Sequence, residues 1–64
     1  MNTKTKNLFL TILQANCLKL LLTKDIQTLN KQRELIIQRS DIPLDVRELA
    51  LGIIDGNMTL MKLC

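Results

Sequence analysis

Between Leu8 and Leu22 the chain is apolar except at Thr11, Gln14, Asn16 and Lys19, and this stretch constrains everything else that the chain can build. Apolar residues recur with the helical period at Leu10, Leu13, Cys17, Leu20 and Leu21, while Leu8, Ile12, Ala15, Leu18 and Leu22 widen the stripe almost to a full circle. A helix that is apolar nearly all round is normally buried on more than one side. With 64 residues there is room for a single domain. A chain of that length buries only about 60% of the surface its unfolded form exposes. The first helix therefore calls for cover, either from a second copy of the chain or from another protein.

Other ways of stabilising a small domain fit the sequence less well. Small secreted domains rely on several disulfides at turn-rich spacings. Here Cys17 lies inside the apolar run, and Cys64 is far from it in sequence. Both are expected as reduced thiols. The chain has no histidine, and two isolated cysteines do not make a zinc site. No metal or cofactor is expected. Hydrophobic residues make up 47% of the chain, yet Phe9 is its sole aromatic, so the core is built from Leu, Ile, Val and Met. Such cores suit helix packing and specify a unique monomer poorly. A homodimer is expected on these grounds.

The opening residues raise the question of export. Lys4 and Lys6 precede the apolar run as a signal peptide's basic region would. The uninterrupted part is short, however, and Gln14 and Asn16 follow it. Leu8–Leu22 also falls below the roughly 20 mostly apolar residues that a membrane span requires. A cytoplasmic protein without a membrane segment is expected.

Punctuation along the chain divides it into an all-α bundle of three helices. The first is expected over residues 5–22. Thr23 or Asp25 is placed to cap a second helix over 25–39, with Ile26, Leu29, Ile36 and Ile37 turned inward; a single kinked helix across this junction is the alternative. At Ser40-Asp41-Ile42-Pro43 the second helix stops, since proline disfavours helix at the residue before it and suits the first turn of the next. Asp45 then falls where a helix dipole favours an anion. The third helix is expected over 43–54, burying Val46, Leu49, Ala50 and Ile53. Asp55-Gly56 reads as its stop, glycine supplying a left-handed cap. A short C-terminal tail carries Met58 and Met61, which are either a pliable docking surface or filler.

The chemistry-bearing patterns are few. No glycine-rich phosphate loop occurs, and no serine or cysteine has a credible base beside it. An enzyme is not expected. Lys4, Lys6, Lys19, Lys24, Lys31, Arg33 and Arg39 face only Asp25 and Glu34 in the first 39 residues. Asp41, Asp45, Glu48 and Asp55 then outnumber Arg47 and Lys62. A basic front and an acidic back can steer association or support head-to-tail contacts. Lys31, Arg33 and Arg39 would suit a phosphate backbone, but no aromatic is available for stacking bases, so direct DNA binding is not expected. Leu18-Lys19-Leu20-Leu21-Leu22 fits the pattern by which short leucine-rich helices enter apolar grooves, but it arises easily by chance in a leucine-rich helix, and core packing is the better account.

From residue 25 onward the chain resembles the Hha/YmoA family of nucleoid-associated expression modulators. Asp25-Ile26-Gln27-Thr28-Leu29 is similar to that family's Ile-Asp-Thr-Leu helix start. Asp45, Glu48-Leu49 and Asp55 are similar to the spacing in its following helix, and Thr3-Lys4-Thr5 to its N-terminus. Leu29, Arg33-Glu34 and Pro43 also resemble the oligomerisation region of the nucleoid protein H-NS. The family's aromatic residues and its Ala-Ala-Asp-His-Arg stretch are absent, Ile53-Ile54-Asp55-Gly56-Asn57 standing there instead. The resemblance implies a small helical protein that tunes transcription, virulence genes included, by binding a nucleoid protein. A transcription activator is a second such target. A sensor kinase blocked by a helical hairpin, or a client held by a secretion co-chaperone or antitoxin, are the other classes of partner. In each case binding is expected from Leu10, Leu13, Leu18, Leu21 and Leu22 of the first helix, with charge added by Lys31, Arg33 and Arg39.

Overall fold

The computed structural model describes residues 1–63. It contains α1 (Thr3–Thr23), α2 (Ile26–Gln38) and α3 (Leu44–Leu63), packed as a three-helix bundle without strands among the described residues. α3 lies against both other helices, and α1 and α2 touch each other least. The longest dimension, 36 Å, is close to the roughly 30 Å length of a helix of about 20 residues.

Local chemistry explains the helix ends. Asn2 caps α1, its side-chain oxygen accepting from Thr5 N at 2.8 Å, so the helix begins two residues before the expected Thr5. Asp25 caps α2 in the same way, accepting from Thr28 N at 3.0 Å and from the Thr28 hydroxyl at 2.7 Å. Thr23 is not the cap: its hydroxyl donates back to Lys19 O and Leu20 O. Between these helices Lys24 takes a left-handed backbone, φ 54°. Lys24 N then donates to Leu21 O and Asp25 N to Leu20 O, the paired bonds that terminate a helix with a residue in this conformation. The break at Lys24 makes α1 and α2 separate helices, and the two-residue connection folds them into an antiparallel hairpin.

The second break is held by burial. Ile42, in the loop before Pro43, is only 5% exposed and plugs the base of the core. Pro43 offers its carbonyl to Arg47 N at 2.9 Å, so α3 begins at Leu44. The Arg47 guanidinium reaches back to donate to Arg39 O at the end of α2, where unpaired carbonyls favour a cation.

The core comprises Leu13 and Cys17 of α1, Leu29 and Ile36 of α2, Ile42, and Val46, Ala50, Ile54 and Met61 of α3. It corrects three expectations. The third helix does not stop at Asp55-Gly56 but continues to Leu63. Gly52 and Gly56 both lie on its exposed side, with open space where a Cβ would stand, and neither has the positive φ of a cap. Ile54, Asn57 and Met61 carry the buried row past the glycines, and that burial outweighs the roughly 1 kcal/mol that a glycine costs a helix. Leu49 and Ile37, expected inside, are instead about half exposed. Asn57 occupies a core position and satisfies its amide by donating to Ile53 O at 2.8 Å.

Candidate docking surface

The exposed apolar residues divide between α1, with its border on α2, and α3, where Leu44, Leu49, Leu60 and Leu63 stand outside the core. Leu8, Ile12, Leu18 and Leu22 are 59%, 53%, 47% and 85% exposed, and Leu35 of α2 is 56% exposed. The accessible surface, 4562 Å², exceeds the roughly 4,200 Å² expected of a monomer of this mass.

Where the N-terminal half of α1 runs past the C-terminal half of α2, the two helices part to leave a hollow of about 220 Å³. Its apolar walls are Phe9, Ile12 and Leu13 on one side and Leu35 and Ile36 on the other. Asn16, Gln32 and Arg39 supply a polar edge. The hollow arises because α1 and α2 direct their buried rows at α3 rather than at each other. It lies below the roughly 300–1,000 Å³ typical of small-molecule pockets and has room for a group about the size of one apolar side chain.

The residues expected to bind a partner fall into three groups. Leu13 is 5% exposed and belongs to the core, showing only an edge to the hollow. Leu10 and Leu21 are half-buried and pack on the core. Leu18 and Leu22 are exposed on the back of α1. The basic residues divide in a similar way. Lys31 faces solvent. Arg33 donates through Nε to Asp55 Oδ1 at 3.0 Å. Arg39 grips Asp41 with two bonds, from Nε at 3.0 Å and from Nη2 at 2.6 Å, which holds the Asp41 carboxyl below its ordinary range. Lys6 approaches Asp45 at 3.8 Å. Lys6, Arg33 and Arg39 of the basic front thus each meet an aspartate of the acidic back within one chain, while Lys4, Lys19, Lys24 and Lys31 stay exposed.

Phe9, Ile12, Leu35 and Ile36 were not among the residues singled out for binding. Their signal is the short Lys24-Asp25 connection: once α1 and α2 form an antiparallel hairpin, the early part of one must face the late part of the other. Among the described residues no group of His, Cys, Asp or Glu comes together that could hold a metal ion, and no described helix is long and apolar enough to cross a membrane. The fold and this surface define a small helical bundle with an uncovered apolar face. No family model matches the chain, and no curated protein or solved structure matches it either.

Proposed function

We propose that this chain is a small cytoplasmic regulatory protein that acts by docking on another protein and carries out no chemistry of its own. The observation that carries the reading is the hollow between α1 and α2, apolar at its walls, polar at one edge, and open to solvent. A partner inserts an apolar side chain there, and the exposed back of α1 is the second contact, either with the same partner or with another copy of the chain. Burying such a side chain contributes about 1.5–3 kcal/mol, enough to make the hollow a hot spot of a modest interface.

The resemblance of residues 25–55 to the Hha/YmoA family favours a target in transcription, a nucleoid protein of the H-NS type or an activator. Titration of purified H-NS-type protein into the full chain tests this directly. Saturable binding is expected, with at least a tenfold loss in Leu35→Asp, a substitution at an exposed position on the rim. No binding, or binding untouched by Leu35→Asp, defeats it. A second reading has an observation of its own, the antiparallel α1–α2 hairpin with exposed apolar residues on both arms. Such a hairpin can add to a helical dimerisation stalk, and inhibition of sensor-kinase autophosphorylation is its test.

A further inference from the structure

The back of α1 carries a second periodicity, distinct from the row that faces the core. Lys4, Leu8, Thr11, Ala15, Leu18 and Leu22 step along it by alternating intervals of three and four residues, and all six are exposed. Spacing of that kind is the seam of a two-helix coiled coil, which repeats every 3.5 residues. Leu13 and Cys17, the buried residues of this helix, lie on the opposite side, so the seam is free to pair without disturbing the bundle.

We propose that this seam pairs with a second copy of the chain, the two α1 helices running antiparallel across a two-fold axis. The inference rests on the reading of α1 as a docking element and names its occupant. Setting Thr11 against Ala15 of the second copy places Leu8 against its Leu18 and Lys4 against its Leu22. The two-fold axis repeats each layer and brings Ile12 beside its own counterpart. Small residues at the centre let the helices approach closely, and leucines close the layers on either side. Charge selects the direction. α1 contains Lys4, Lys6 and Lys19 but no acidic residue. A parallel pair would stack Lys4 on Lys4, whereas the antiparallel pair sets it beside the C-terminal end of the other α1, where the helix dipole favours a cation.

The area is sufficient. At their observed exposures, Leu8, Ile12, Leu18 and Leu22 offer roughly 400 Å² of apolar surface per chain. Since homodimer interfaces are roughly 65% apolar, two copies would bury on the order of 1,200 Å² in total, the lower end of the range for specific dimers.

The test uses the full chain in reducing buffer, with light scattering coupled to size exclusion over a concentration series. Twice the 7.3 kDa chain mass is expected for the wild type. Ala15→Asp, at an exposed site, should keep its helical circular dichroism and raise the dimer dissociation constant by about a hundredfold. Register is read by oxidising a Leu8→Cys/Leu18→Cys variant in a Cys64→Ser background: a covalent dimer is expected, and little from Leu8→Cys alone. A wild-type chain of single mass throughout, a dimer indifferent to Ala15→Asp, or efficient cross-linking of Leu8→Cys alone overturns the proposal. Binding to another protein is read separately through Leu35→Asp, so a monomer that still binds there defeats the dimer and leaves the docking reading intact.

Discussion

Arg33 of α2 and Asp55 of α3 are joined by a hydrogen-bonded ion pair, Nε to Oδ1 at 3.0 Å, that ties two helices across the middle of the bundle. In the sequence each residue suggested something else, a partner-binding cation and a helix stop. The pair is partly open to water, with side-chain exposures of 34% and 54%, so solvent screening limits its strength. A double-mutant cycle with Arg33→Ala and Asp55→Ala, followed by urea unfolding, should give a coupling of about 0.2–1 kcal/mol. A coupling indistinguishable from zero would show that the two side chains act independently.

The two glycines of α3 leave stability unclaimed. Neither is packed against anything, and neither has a backbone conformation that excludes a side chain. Gly52→Ala and Gly56→Ala should each stabilise the chain by about 0.5–1 kcal/mol. Loss of stability at position 56 would mean that the helix ends there after all.

Lys24 is the reverse case. It holds φ 54°, a region that costs a residue with a Cβ about 1–2 kcal/mol. Lys24→Gly should therefore raise the unfolding free energy by about 1 kcal/mol, while Lys24→Val should lower it, because a branched side chain tolerates that conformation poorly. Thermal or urea unfolding of the two variants decides the matter, and equal stability would rule out the left-handed cap.

These positions show what the sequence makes legible. Asp25 and Pro43 are local signals, and both helix breaks stand where they put them. Gly56 is also a local signal, but the buried row through Ile54, Asn57 and Met61 overrides it, and Asn57 disguises that row as polar. Ile37 and Leu49 lie at the margins of stripes whose period cannot say where a neighbouring helix ends. The hollow beside Phe9 and Leu35 depends on how two helices splay over a third, a property of the assembled bundle that no single stretch encodes. Leu18 and Leu22 were legible as surplus because α1 has more apolar residues than one flank can cover.

Ile42 is the core residue that periodicity has least power to find, since it belongs to a loop. At 5% exposure it seals the end of the bundle between α2 and α3. Ile42→Ala should destabilise by about 2–4 kcal/mol, the usual cost of emptying such a site, a large share of the stability available to so small a chain. Ile42→Val should cost only about 0.5–1.5 kcal/mol. If the two variants unfold alike, Ile42 is not a plug.

Cys17 has no exposed surface, and burial pushes its thiol above the ordinary value of 9.0 by penalising the thiolate. The folded chain therefore keeps this proton at alkaline pH values where the unfolded chain has lost it. With fewer protons bound in the unfolded state, stability must fall as pH rises. This contribution is fully present below 9.0 and is lost as pH climbs from there through the raised folded value. In a Cys64→Ser background the urea midpoint should decline over that window, and more steeply than in the same background with Cys17→Ala. The same burial keeps the thiolate from attacking disulfide reagents, so labelling of Cys17 should track unfolding rather than mixing. Immediate labelling, or identical alkaline slopes with and without the thiol, would mean that α1 opens readily enough to hydrate Cys17 in the folded state.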